Sequence, residues 1–447
     1  MSKSLFDFLK QYKKAKPVRC HTPGHSGKAR ALSPFKRILG YDITEIDGAD
    51  SLYASNSIIK ACETKAAEIF ECEASLISAG GCTLAIQTML ALCVKANQKI
   101  AIGRNAHRCA VSTLALLGAC PIWIYPQGDM PVSYQDVASV LEQDPEVCAV
   151  YLTSPDYCGR LCDIAEIAVL CKTKGIPLLV DNAHGSHLGF LPQELDPIKL
   201  GATMAAYSLH KTLPVFTGGA LLNIAEKKYV PDAKHTMAVF GSTSPSYLIM
   251  ASIDLCLDWL KKQGRSAFSA AQARVDRLKD LARSRGFLCH AELSDKMRLT
   301  LDFSDFTQSG CVVAQYFLLR KIVPDFYDSR YVVFILTPQL SRRDFKKIEK
   351  ALKGIKLTAA ASKKEFCPLP VCRTAVSPRT ALLAQHETVS LETASGKICA
   401  EVLCPCPPGI PVVVPGEEIN DAAISCLKQN NYSEIKVLKQ LKDEPNV

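Results

Sequence analysis

The residue whose surroundings best suit it for chemistry is Lys211, in the stretch TMAAYSLHKTLPVFTGGAL at 203–221. Ala, Leu, Val and Phe flank it, and partial burial among such side chains favours the neutral amine that adds to a carbonyl. Taken alone, the stretch fits either a Schiff-base lysine or a surface lysine after an edge strand, since lysine is seldom buried. Other residues bear on that choice. His107, Thr153, Asp181, His184, Ser208 and His210 fall, like Lys211, at or just past the end of a short apolar run. Singly each reads as a cap or turn residue, but the set points to one edge of a sheet. Asp181 gives it a chemical direction, because a carboxylate closing the apolar run IPLLV needs a partner if it is buried.

A protonated pyridine nitrogen would be such a partner. Pyridoxal phosphate needs a lysine for its aldehyde, an acid that keeps its ring nitrogen protonated, and donors for its phosphate. Lys211 and Asp181 supply the first two. The turn AGGCT at 79–83 opens an apolar helix whose first N–H groups suit a phosphate. His107 could stack on the ring.

These residues need a scaffold that delivers strand ends to one place. Residues 60–70 read as a helix, ASLIS (74–78) as a strand, and LAIQTMLALCVKA as the helix after the glycine turn. Further strands are expected at 98–107, 121–125, 147–155, 176–184, 202–208 and 219–224, with helices between most of them. Short apolar strands alternating with helices predict an α/β fold, a doubly wound and mostly parallel sheet, in which ligands gather beyond the carboxyl ends of the strands. Upstream, 1–16 reads as an amphipathic helix with Leu5, Phe6 and Leu9 on one face, followed by the irregular loop RCHTPGHSGKA at 19–29. The segment 42–59 gathers Asp42, Glu45, Asp47 and Asp50, either a solvated acidic turn or a site that attracts a cation. Downstream, an apolar helix at 245–263 and a charged one at 264–286 precede a smaller α+β layer reaching about 355. Residues 356–374 read as a linker, and a last small unit holds a helix at 376–386 and the proline-rich CPCPPGIPVVVPGEEI, whose prolines exclude a central strand. The resulting division is 1–41 (arm and loop), 42–263 (large domain), 264–355 (small domain) and 356–447 (linker and C-terminal subdomain).

Composition removes several function classes. The chain of 447 residues is 48% hydrophobic and 22% charged, as an ordinary globular protein is. Its net charge of +9 is spread out, with one dense cluster in KSLFDFLKQYKKAK, so neither nucleic acid nor membrane is expected as a partner. No apolar run reaches the roughly 18 residues of a membrane span, and the basic start lacks a signal peptide's apolar core, so a cytoplasmic location is expected. The 20 cysteines then read as reduced thiols. The close pairs Cys158/Cys162, Cys367/Cys372 and Cys404/Cys406 form no CxxC, and no metal site is expected.

The motifs HTPGH (21–25), DITE (42–45), GGCT (80–83), RNAH (104–107), VDNAHGSHLGF (180–190), SLHKTL (208–213), STSPSYL (242–248) and CPPGIPVVVPGE (406–417) occur in that order. Together they resemble the Orn/Lys/Arg decarboxylase family, in its short form without an N-terminal wing domain. The resemblance implies the aspartate-aminotransferase fold type of pyridoxal phosphate enzymes and decarboxylation of lysine, ornithine or arginine to cadaverine, putrescine or agmatine. It implies that Lys211 holds the cofactor as a Schiff base, Asp181 pairs with the pyridinium, His107 stacks on the ring and Ala183 lies beneath it. His184 belongs to the same cofactor-binding set. Ser208 and His210 would reach the phosphate with Gly81, Cys82 and Thr83. Ser242 would reach the phosphate of a neighbouring subunit, making a homodimer with shared sites the working unit, with higher assembly open. Glu45 and Asp50 are candidates for the substrate's distal cation. Another reaction of the same fold type, or a catalytically silent cofactor-binding paralogue, is the alternative.

The sequence departs from the family pattern at Cys82, where serine is usual at the phosphate turn, at Asp156 for threonine, and at Cys109 for serine. The acidic segment also lacks the usual Pro and Gly, reading DSLYASNS. These changes bear on cofactor affinity and substrate choice more than on reaction class.

Overall fold

The computed structural model describes residues 4–128, 130–288, 293–362, 369–405 and 409–439. Cys367, Cys406 and the CPP of the proline-rich motif lie outside the described residues, as do the first three residues of the expected N-terminal helix and part of the expected linker.

Seven strands, β1 (Ala74–Ser78), β2 (Lys99–Gly103), β3 (Cys120–Ile124), β4 (Val147–Thr153), β5 (Leu178–Asp181), β6 (Met204–Tyr207) and β7 (Ala220–Ile224), form one sheet in the order β1-β7-β6-β5-β4-β2-β3. The β2–β3, β2–β4 and β5–β6 pairs are parallel, and β7 runs antiparallel to both its neighbours. Each of these expected strands is present: β1 has the expected bounds, β3 is displaced by one residue, and the other five are shorter than expected. The polar residues appended to several carboxyl ends, RNAH after β2 and NAH after β5, leave the ladder to make turns and helix starts.

By their contacts the residues divide into two compact units that interleave along the chain. One comprises 1–92, 154–169 and 179–363, the other 93–153, 170–178 and 364–447.

In the first unit, the helix Leu5–Ala15 is capped by Ser4, whose hydroxyl accepts from Asp7 N. It buries Leu5 and Leu9, while Phe6 stacks on Tyr41 with ring centroids 5.8 Å apart. The helix Tyr247–Trp259 passes through a π-helical turn at Leu260–Gly264 straight into Arg265–Ser284, where the sequence predicts two separate helices. Gly264 stays in right-handed helical geometry (φ −51°), so it does not break the helix, and a Cβ there would meet Leu260 at 3.1 Å. A second sheet, β8 (Arg298–Asp302), β9 (Phe326–Tyr327) and β10 (Tyr331–Ile335), is antiparallel in the order β8-β10-β9. Every residue of β8 is buried, including Arg298 and Asp302 at its two ends.

In the second unit, Arg104 follows β2 and is 1% exposed. It donates to Pro411 O at 2.7 Å and Val412 O at 2.9 Å, and lies 3.3 Å from a Glu417 oxygen. Burial raises the Glu417 carboxyl above the usual range, against the pull of Arg104. This arginine thereby holds the proline-rich segment in place. The unit also contains a two-stranded antiparallel ladder, β11 (His386–Ser390) with β12 (Glu434–Leu438), that the sequence reading does not predict.

Candidate active site

Strand register in the first unit brings motif ends to one edge. Asp181, the last residue of β5, pairs with Ala206 of β6, and Tyr207 pairs with Leu221 of β7. Across β7, Ala220 pairs with Ser78, the last residue of β1. The segments that leave β1, β5 and β6 therefore start together, where the Thr-Gly-Gly loop enters β7. Backbone bonds join them. Gly81 N donates to Gly218 O at 2.8 Å, His210 N to Gly219 O at 3.4 Å, and Asn182 N to Ala206 O at 2.9 Å.

Lys211 sits on a single helical turn, Leu209–Thr212, just past β6. It is half-buried, and its Nζ lies 2.9 Å from His184 Nε2. Asp181 is 2% exposed, and its carboxylate accepts from Ala183 N at 3.1 Å. Buried Ser208 places Oγ 3.3 Å from His210 Nδ1. Burial holds His210 below the ordinary imidazole value, opposed by a bond to Gly219 O. Gly81 opens the helix Gly81–Cys93 at φ +72°, and a Cβ there would meet nothing within 4 Å. Cys82 is buried and Thr83 exposed, so this helix start faces open space beside Gly218, Gly219 and His210. A cavity of about 470 Å³ has Lys211, Asp325, Thr337 and Asp344 in its wall.

This set fits pyridoxal phosphate. The aldehyde matches Lys211, the ring nitrogen matches the buried carboxylate of Asp181, and the phosphate matches the open helix start flanked by Ser208 and His210.

His107 and Thr153 belong to the second unit. His107 caps the helix Arg108–Leu117, its Nδ1 accepting from Cys109 N at 3.2 Å, so the backbone of position 109, and not its thiol, serves the cap. Gly409, at φ +76°, packs on this ring so closely that a Cβ would lie 2.8 Å from its Cδ2 and Nε2. Ser242 is exposed, its Oγ accepting from Ser244 N at 3.2 Å.

The acidic segment is largely committed to local structure. The Asp50 carboxylate accepts from the backbone N–H groups of Ser51, Asn56, Ser57 and Ile59 at 2.9 to 3.1 Å. Burial raises its carboxyl, but these four donors together hold it below the usual range. Asp50 is thus the staple of the loop 50–59. Glu45 accepts from Ser51 Oγ at 2.6 Å, and Asp42 lies 3.1 Å from His25 Nε2. Asp156 pairs with Arg160 Nε at 2.6 Å and closes a turn.

Three residues that the sequence reading passed over adjoin Lys211 or His184. Arg298 Nη1 lies 3.3 Å from His184 Nδ1, and the Tyr157 ring meets the His184 ring edge-on at 4.7 Å. Asp325 shares the cavity wall with Lys211. A charged residue opening an otherwise apolar strand, as in MRLTLDF, is the signal that would have found Arg298.

The fold and this residue set define a pyridoxal phosphate enzyme of fold type I. Residues 3–298 match the family described as Orn/Lys/Arg decarboxylase, major domain, and residues 356–434 match Orn/Lys/Arg decarboxylase, C-terminal domain. The chain belongs to the Orn/Lys/Arg decarboxylase family and is a pyridoxal phosphate-dependent decarboxylase of basic amino acids. An arginine decarboxylase of Bacillus subtilis (strain 168) is 28% identical over 460 residues, covering 95% of this chain and 93% of its own. One from Halalkalibacterium halodurans is 27% identical over 475 residues, covering 97% and 94%. The lysine decarboxylase LdcF of Francisella novicida shares the fold, with a TM-score of 0.83 at 16% identity over 98% of this chain and 81% of its own. Among the described residues no helix is long and apolar enough to cross a membrane.

Proposed function

We propose that this decarboxylase converts L-arginine to agmatine and CO₂. The observation that carries the reading is a cavity with both Lys211 and Asp325 in its wall, beside Lys321 and Lys347, so that Asp325 offers a carboxylate for a distal cation. Asp344, in the same wall, is already spent capping its helix through Ser341. The relatives named arginine decarboxylase, 26–28% identical over 92–97% of this chain, favour arginine over lysine and ornithine.

When bound, pyridoxal phosphate supplies an aldehyde that captures the substrate amine and a protonated ring that accepts the electron pair left by departing CO₂. Asp181, buried at the end of β5, holds the proton on the ring nitrogen. Ser208, His210 and the first residues of the helix Gly81–Cys93 hold the phosphate. Ala183 would leave room beneath a bound ring, and His107 would be the residue to stack on it. Lys211 would be the proton donor to Cα, with His107 the alternative. Asp325 takes the distal cation, with Glu45 a secondary candidate. Ser242 acts from a second copy, so the dimer is the working form.

The test is to incubate the chain and cofactor with each of the three amino acids and identify the product. Agmatine should form with kcat/KM at least about tenfold above that for cadaverine or putrescine, the scale on which a pocket separates related substrates. A keto acid without CO₂ would assign another reaction of this fold type. A protein that stays colourless with added cofactor would be the silent paralogue.

A further inference from the structure

His184 is engaged at both ring nitrogens, and its two partners are not equivalent. Nε2 lies 2.9 Å from Lys211 Nζ, and Nδ1 lies 3.3 Å from Arg298 Nη1. A guanidinium has donors only. A hydrogen bond between Arg298 and Nδ1 therefore requires a lone pair on Nδ1, which puts the proton of the neutral ring on Nε2. That Nε2–H points at Lys211 Nζ, where the lysine must be the acceptor. With the proton on Nδ1, an N–H would face an N–H, and a doubly protonated ring would stand between two cations.

We propose that Arg298 is a positioning residue that fixes His184 as its Nε2–H tautomer, so that Lys211 meets a donor and presents an unprotonated nitrogen to its carbonyl partner. The proposal rests on the reading of Lys211 as the reactive amine. The tautomer of a histidine is set by the bond its other nitrogen makes. Arg298 suits this duty because it is itself immobilised. It is 3% exposed and donates from Nη1 to Tyr157 O at 2.7 Å. Its Nη2 lies 3.4 Å from His184 O, and its Nε lies 3.6 Å from Asp295. Its stem fills the space beside Gly159, where a Cβ would come within 3.0 Å of it. Asp295 is anchored in turn by His187 Nε2 at 2.8 Å. The arrangement places an unusual demand on a buried strand end, a cation beside an imidazole, and the tautomer accounts for it.

The test uses the full chain labelled with ¹⁵N at histidine, with and without cofactor. Long-range proton–nitrogen correlation spectra separate the two tautomers, and the His184 signals are those that vanish in His184→Gln. The expected result is an unprotonated Nδ1 and a protonated Nε2. In Arg298→Gln, whose amide oxygen can accept, the proton should move to Nδ1. The recovery of visible absorbance on adding pyridoxal phosphate should then slow about 10- to 100-fold, the scale on which metal-bound histidines suffer when the other ring nitrogen loses its partner. Arg298→Lys keeps a donor and should restore both the tautomer and most of the rate. A wild-type His184 protonated at Nδ1 would overturn the proposal, whether or not the variants fold. So would a folded Arg298→Gln with unchanged spectrum and rate. The cofactor-free spectrum separates this outcome from failure of the Lys211 reading, which would show as full absorbance and turnover in Lys211→Ala.

Discussion

Replacing Gly409 with alanine should damage the protein in a way that a second glycine, Gly396, can calibrate. Both have left-handed backbones, at φ +76° and φ +75°. A Cβ at position 396 would meet nothing within 4 Å, whereas one at 409 would lie 2.8 Å from the His107 ring. Gly396→Ala should therefore cost only the backbone penalty, about 1–2 kcal/mol. Gly409→Ala should add an overpacking cost of about 1–3 kcal/mol, because the ring must move. Urea unfolding followed by a probe in the second unit measures the difference. With a slope of about 2–3 kcal/mol/M, a gap of about 2 kcal/mol separates the two midpoints by about 0.7–1 M. Activity gives an independent reading. If His107 must face the cofactor squarely, displacing its ring by about 1 Å should lower kcat by up to about 100-fold in Gly409→Ala and leave Gly396→Ala near wild type. Coincident midpoints, or a Gly409→Ala enzyme with full kcat, would refute the reasoning, since the ring contact would then carry neither stability nor alignment.

Lys211→Ala should lose both the visible absorbance of bound cofactor and nearly all CO₂ release, measured by difference spectroscopy and trapped ¹⁴CO₂. Asp325→Asn should raise KM for arginine roughly 10- to 150-fold with a smaller change in kcat, the equivalent of about 1.5–3 kcal/mol for a bond to a charged group. Steady-state kinetics showing kcat alone affected would argue against a binding role. Asp302 accepts from Arg330 at 2.8 to 3.2 Å; burial raises its carboxyl, but Arg330 and Ser304 hold it below its ordinary 3.8. Because the folded value is the lower one, this stabilisation is complete above the unfolded value and is lost as pH falls through the folded one. Asp302→Asn should therefore cost about 1.5–3 kcal/mol at pH 7, and the gap to wild type should begin to narrow as pH falls below the ordinary 3.8 and close only below the folded value.

The strands were legible because each is a short apolar run, and the edge they share follows from their alternation with helices. Their ends were not, since the chain carries polar residues past each strand without a break in composition, as in IAIGRNAH. The part Asp50 plays in its own loop was hidden for a related reason. Spacing showed four carboxylates close in sequence but not that the backbone of 51–59 would wrap around one of them. Arg298 could not be paired with His184 from spacing, as 114 residues separate them. The β11–β12 ladder was hidden because β11 has no fully buried residue, and so no apolar alternation to read. Lys211, Asp181, Ser208 and the Gly81 turn could be proposed from the sequence because the chemistry of one cofactor asks for them together.

The clasp of Arg104 on Pro411, Val412 and Glu417 also sets a timetable for synthesis. Arg104 is separated from Glu417 by 313 residues, which a ribosome adds in roughly 15–60 s. Throughout that interval the guanidinium has none of these three partners, and β2, which precedes it, cannot be sealed in its final surroundings. The second unit is thus closed by residues made long after Arg104 itself. Chains released before position 411 should carry a cation whose place is in the interior, and chaperones or proteases that sense incomplete folding should engage them first.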